Sequence, residues 1–252
     1  MPRLLLIDIG NTHTHLGLAN DKKVLRHANF PTSDWFNGTA TKSINRFTVG
    51  NRITGSSLCS VVPKATPHAI RALKQRHIVP VILSAQTVIG VGINYPKPHT
   101  IGPDRLANAM AVHHHYGAPS IVVDFGTAVT FDVVDRHGDY AGGVISPGLS
   151  AMTDYLHEKT ALLPRIKIRE ARTAIGKNTE EAMIIGAVHG YRGLIQGILR
   201  ELKRELKSDS LPVVATGGYA ALMARRLPDI TAVEPLLTLE GLRLLHAARG
   251  KD

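Results

Sequence analysis

One pattern is written twice in this chain, and it constrains the fold more than any other feature. The segments LLLIDIGNTHTHLGL and SIVVDFGTAVTFDVV both read apolar strand, aspartate, any residue, glycine, small polar residues, then a second strand carrying threonine. Repetition of a whole supersecondary unit predicts two similarly built lobes. A cleft between such lobes is where a small ligand would bind. Glycine permits a turn that brings backbone N–H groups close to a phosphate. Thr12 and Thr127 can donate to phosphate oxygens, and Asp8 or Asp124 can hold a cation or its water shell. The bland alternative is that Asp-x-Gly only makes a hairpin turn. Two copies, with a third glycine turn at Gly217-Gly218 after a buried strand, argue against it. The chain has neither GxxxxGK[ST] nor GxGxxG, so neither a P-loop nor a dinucleotide fold is expected.

The rest of the chain fits an α/β reading. Three strands open it, with turns at Gly10-Asn11 and Asn20-Asp21. Residues 34–50 read as one helix, RITGSSLCSVVP as a buried strand, 65–76 as a helix and PVILSA as a short strand. Residues 86–102 are loop-like, and a helix begins at Pro103. Three more strands follow, then a helix near Pro147, a long helix over 178–206, the strand VVATGG with a helix after it, and a closing helix in TLEGLRLLHAA. At 252 residues the chain suits two compact lobes, expected over 1–115 and 116–252.

Composition excludes several classes. Hydrophobic residues make up 44% and charged residues 20%, a globular balance. The single cysteine, Cys59, cannot form an intrachain disulfide and reads as a small core residue. The run Leu4 to Ile7 is too short for a secretory h-region, and no stretch approaches the ~18 apolar residues of a membrane span. A cytoplasmic protein without a membrane is therefore expected. The net charge of +10 attracts anions, but no aromatics interleave with the basic residues as a nucleic-acid surface requires.

The ordered motifs DIGNT, GPDR, DFGTAVTFD, GGVISPGL, IGKNTEEAM and ATGG, with TLEGLRLL at the end, resemble the type III pantothenate kinases over nearly the whole chain. The resemblance implies the two-lobed acetate and sugar kinase/Hsp70/actin-like fold with duplicated mixed-sheet domains, and a homodimer. It implies phosphoryl transfer from ATP to pantothenate, with Mg2+ accompanying ATP and a monovalent cation, K+ or ammonium. Carried onto this sequence, Asp8, Ile9, Gly10, Asn11, Thr12, His13, Thr14 and His15 form the first phosphate loop, and Thr127 is an ATP contact. By the same resemblance Asp104 is expected to be the general base and Asp124 the monovalent-cation ligand. Tyr95, Gly102, Pro103, Asp104, Arg105 and Thr179 contact pantothenate, Thr179 at the dimer interface. The chain departs from the family in carrying His at 13 and 15 and Pro at 103, where Ala is common.

Each residue also has a structural reading. Asp104 could simply place a charge at a helix N-terminus, and Arg105 could be a surface ion pair. Tyr95 could cover apolar surface, and Thr179 could belong to a helix start capped by Asn178. Two alternatives to the kinase are a non-catalytic regulatory or DNA-associated paralogue on the same scaffold and a polymerising actin-like ATPase. The first is disfavoured by the intact aspartates and Arg105, the second by length and the GPDR loop. Gly186, Gly190, Gly193 and Gly197 form one stripe on the long helix, predicting intimate contact with the sheet or across a dimer. The run His113–His115 does not share a helix face and reads as an exposed helix end rather than a metal site.

Overall fold

The computed structural model describes residues 3–249; the outer ends of the two expected lobes, 1–2 and 250–252, lie outside the described residues. Along the chain run β1 (Arg3–Ile9), β2 (His13–Ala19), β3 (Val24–Pro31), α1 (Asp34–Asn37), α2 (Thr39–Thr48), β4 (Ile53–Ser60), α3 (Thr66–Lys74), β5 (Val81–Ile82), β6 (Gly92–Ile93) and α4 (Pro103–Tyr116). Then come β7 (Ser120–Phe125), β8 (Ala128–Val134), β9 (Asp139–Pro147), α5 (Leu149–Lys159), α6 (Thr179–Leu206), β10 (Val213–Thr216), α7 (Ala220–Ala224), β11 (Ala232–Val233) and α8 (Leu237–Arg249).

The chain divides into two units, Met1–His115 with Leu236–Asp252, and Tyr116–Pro235. The first unit holds a sheet in the order β3-β2-β1-β4-β5. The first three strands pair antiparallel, and β4 and β5 continue parallel. In the second unit β9-β8-β7-β10-β11 repeat that order and that sequence of senses. The motif repeat is thus a repeat of whole sheets. The parallel pairs need crossover connections, and helices supply them.

Strand alternation decides which residues face the cores. On β1, Leu5, Ile7 and Ile9 enter the first core with Leu16, Phe30, Trp35 and Leu58. Asp8 therefore lies on the opposite face, with Leu6. On β7, Ile121, Val123 and Phe125 pack against Ile184, Val188 and Tyr191 of α6, which leaves Asp124 on the other face.

Three expectations change and a fourth narrows. Residues 34–50 form two helices, because Gly38 adopts φ 79 and breaks the run. The segment 86–102 holds the two-residue β6 and a 3-10 turn, Pro98–Thr100. The closing helix, expected with the second lobe, belongs to the first unit. There α8 crosses α4 so closely that a Cβ on Gly241 would stand 2.6 Å from the Ala107 carbonyl carbon. Thr238 Oγ1 also donates to the buried Asn108 Oδ1 of α4 at 2.8 Å. Finally, the glycine stripe on α6 does not pack on its sheet: a Cβ at Gly186, Gly190, Gly193 or Gly197 would meet nothing within 4 Å.

Candidate active site

In the first unit, β1 and β2 carry the Asp8 hairpin. Gly10 N–H donates to His13 O at 3.0 Å and closes the turn. Asn11, Thr12, His13 and His15 are exposed, whereas Ile9 and Thr14 are buried. Only the backbone of those two could face a ligand. Trp35 Nε1 donates to Thr14 Oγ1 at 2.9 Å, so the Thr14 hydroxyl is turned into the core. Burial, then the nearby His13 and His27, hold the His15 imidazole below its ordinary value.

Asp8 lies beside Cys59 in the parallel pairing of β1 and β4. The thiol donates to Asp8 Oδ1 at 3.2 Å. Burial, then the charges of Asp8 and Asp104, push the Cys59 thiol well above its ordinary value. Cys59 is thus the small core residue its setting suggested, and additionally holds a site carboxylate. Its electrostatic coupling to both aspartates puts Asp8 and Asp104 in one neighbourhood.

The GPDR loop starts α4, and its geometry explains its residues. Gly102 O accepts from Arg105 N–H at 3.0 Å, and a Cβ on Gly102 would stand 2.5 Å from Asp104 Oδ1. Glycine is needed because the carboxylate folds back over it. Arg105 N–H donates to Asp104 Oδ1 at 2.8 Å and fixes it. Burial raises the Asp104 carboxyl above its ordinary 3.8, and the Arg105 N–H bond and guanidinium only partly oppose this. A desolvated, oriented carboxylate of this kind is a stronger base than one in water. Tyr95 is exposed on the loop before it.

The second unit repeats the hairpin with shorter, glycine-built surroundings. Asp124 pairs with Thr216 of β10 as Asp8 pairs with Cys59. Gly217, at φ 89, lies against it: a Cβ there would be 2.6 Å from Asp124 Oδ1 and from the Phe125 carbonyl carbon. This gives the ATGG motif its physical reason. Thr127 is exposed at the tip, and its carbonyl accepts from Gly148 N–H at 3.2 Å.

Thr179 opens α6, capped as expected: Glu181 N–H donates to Asn178 Oδ1 at 2.9 Å, and Lys177 N–H to Glu181 Oε2 at 2.8 Å. It lies on an apolar groove of about 860 Å³ between α5 and α6, with Met152, Tyr155, Leu156, Met183 and Gly186. Two of the basic residues in the segment after α5 are ion-paired, Arg169 to Glu180 at 2.8 Å and Arg165 to Asp154 at 3.7 Å. Arg192, which no sequence signal marked, is buried on α6 and grips both oxygens of Glu170 at 2.8 Å. It pins that loop to the helix.

Among the described residues, no group of three His, Cys, Asp or Glu side chains could hold a metal by itself. Mg2+ commonly binds through one or two carboxylates plus substrate phosphates, and Asp8 beside a glycine hairpin fits that mode. Among the described residues, no helix is long and apolar enough to cross a membrane.

Two matching sheets, each with an aspartate and glycine hairpin on its first strand, give the chain an actin-like, sugar-kinase-type α/β fold. The polyphosphate/ATP-glucomannokinase of Arthrobacter sp. strain KM shares this fold, with a TM-score of 0.52 and 13% identity over 99% of this chain and 100% of that one. A sequence profile described as type III pantothenate kinase matches residues 4–201. A type III pantothenate kinase of Akkermansia muciniphila is 46% identical, over 95% of this chain and 96% of its own length. One of Methylacidiphilum infernorum is 40% identical, over 96% and 87%. The chain belongs to the type III pantothenate kinase family.

Proposed function

We propose that this chain transfers the γ-phosphoryl group of ATP to the primary hydroxyl of pantothenate, giving 4'-phosphopantothenate, the first step of coenzyme A biosynthesis. The observation that carries the reading is Asp104, a desolvated carboxylate held by the Arg105 N–H at a helix start. Phosphoryl transfer asks chiefly for alignment and charge neutralisation, and an alcohol is a weak nucleophile. Asp104 orients the hydroxyl and takes its proton. Arg105 grips the pantothenate carboxylate with a two-pronged bond. Tyr95, Gly102 and Pro103 complete the substrate contacts.

The backbone N–H groups of Asn11 and Thr12, the Asn11 side-chain amide and the Thr12 hydroxyl face the ATP phosphates, with Thr127 as a further contact. Mg2+ bound with ATP neutralises phosphate charge. Asp124 holds a monovalent cation, K+ or ammonium. The reading extends to a cytoplasmic homodimer. Its support is the open glycine stripe of α6 beside the apolar groove at Thr179, where Thr179 would contact pantothenate at the subunit interface.

ADP release from Mg2+-ATP, with and without pantothenate and with K+ replaced by Na+, tests this reading. Pantothenate-dependent turnover that requires K+ in the wild type, and that K+ no longer raises in Asp124→Asn, is expected. Folded, dimeric protein with no pantothenate-dependent turnover would overturn the kinase assignment.

A further inference from the structure

Three buried polar side chains lie beneath the Asp8 hairpin: Thr14 at 0% exposure, Thr32 at 3% and Trp35 at 3%. Trp35 Nε1 reaches Thr14 Oγ1 at 2.9 Å, Thr14 Oγ1 meets Thr32 Oγ1 at 3.1 Å, and Thr32 Oγ1 meets Gly10 O at 2.7 Å. Counting protons gives the chain one direction. A carbonyl cannot donate, so the single Thr32 hydroxyl proton goes to Gly10 O. Thr14 must then donate to Thr32, and Thr14 accepts from the indole, which can only donate. Each hydroxyl donates once and accepts once. Thr32 also donates its backbone N–H to Thr12 O at 3.0 Å, so one residue holds both arms of the loop.

The second unit isolates what is special here. There β9 ends in Pro147 as β3 ends in Pro31, and Gly148 N–H holds Thr127 O as Thr32 N–H holds Thr12 O. The backbone tie is common to both hairpins. Gly148 has no side chain, so the hydroxyl relay belongs to the Asp8 hairpin alone.

We infer that the Trp35–Thr14–Thr32 relay positions the Gly10–Thr12 loop for the nucleotide triphosphate, with Thr32 as the principal positioning residue. Linked hydrogen bonds in a dry core polarise one another and fix a single geometry. A loop fixed in advance loses less freedom when it takes up phosphate. The inference rests on reading the Asp8 hairpin as the ATP-phosphate loop.

The test compares Thr32→Val, which keeps the shape and removes the hydroxyl, with Thr32→Ser, which restores it. Thr32→Val is expected to raise KM for Mg2+-ATP about 2- to 10-fold, the range of one net hydrogen bond, and to leave KM for pantothenate within about 2-fold. Mg2+-ATP is also expected to raise its melting temperature less than that of the wild type. Thr32→Ser recovers most of the loss. Trp35→Phe, which keeps the edge contact with Phe30, changes KM for Mg2+-ATP in the same direction by less. Folded Thr32→Val with unchanged Mg2+-ATP parameters overturns the inference, as does equal loss for both substrates or failure of serine to rescue. Asp8→Asn is measured alongside. If it leaves Mg2+-ATP kinetics intact, the ATP reading of the hairpin fails and the inference with it. If it impairs them while Thr32→Val does not, only the relay fails.

Discussion

Gly217→Ala probes the packing that gives the second hairpin its shape. The residue stands at φ 89, where an L side chain costs about 1–2 kcal/mol. The new Cβ would lie 2.6 Å from Asp124 Oδ1, 2.6 Å from the Phe125 carbonyl carbon and 2.7 Å from Phe125 N. The carboxylate could swing aside, but the β7 backbone is paired on both sides and cannot. Overpacking of this kind costs about 1–3 kcal/mol, so the substitution should lose about 2–5 kcal/mol in all. The control is its neighbour. A Cβ on Gly218 meets nothing within 4 Å, and Gly218→Ala should stay within about 0.5 kcal/mol of the wild type. Urea unfolding of the three proteins, followed by circular dichroism, measures the difference. With Asp124 in its proposed role of cation ligand, its displacement in Gly217→Ala should also weaken activation by K+. If Gly217→Ala proves as stable as Gly218→Ala, the close approach of the glycine turn to β7 is wrong.

Other consequences are equally open to measurement. Arg192→Leu leaves Glu170 without its main partner, and because Glu170 is 26% exposed the expected cost is about 2–3 kcal/mol rather than the full value of a buried pair. Bonding to Arg192 lowers the Glu170 carboxyl, so that stability is present above the unfolded value and fades as pH falls through the folded one. Denaturation of both proteins at neutral and acid pH should show the gap closing; a gap independent of pH would contradict it. Asp104 works the other way. Its raised carboxyl binds a proton more tightly when folded, so stability falls as pH rises from 3.8 through the folded value. Asp104→Asn should therefore melt no lower than the wild type at pH 7, and the acid limb of kcat/KM for pantothenate should lie above 3.8. On α6, Gly190→Ala should add about 1 kcal/mol to helix stability and, in the proposed homodimer, weaken self-association, read by sedimentation over a concentration series. Unchanged association would remove the stripe from the interface.

What the sequence made legible was mostly local. The Asp8 and Asp124 hairpins, the α4 start at Pro103 and the Asn178 cap are each set by a few adjacent residues, so their chemistry could be read directly. Gly38 sits mid-segment in 34–50, and its positive φ turned one expected helix into two. The period-two alternation of THTHLGL also carried a signal that the motif reading passed over: Thr14 shares a face with Leu16, and both are buried. Spacing revealed the α6 glycine stripe but not whether a neighbour fills it. The unit to which α8 belongs is set by its packing on β1 and β4 and by Gly241 meeting Ala107, contacts between distant segments that no local pattern encodes. Arg192 finds Glu170 in the same way, through the fold.

In the proposed mechanism, Asp104 turns an ATP-binding scaffold into one that phosphorylates an alcohol. Mass-spectrometric detection of 4'-phosphopantothenate, formed from ATP by wild type and by Asp104→Asn at pH 7, tests it most directly, with ATP binding and melting temperature measured on the same samples. The expected result is product from the wild type, at least about 100-fold less from Asp104→Asn, as loss of a general base implies, and ATP binding and folding retained in both. Product formed at a comparable rate by the folded variant would show that Asp104 is not the base.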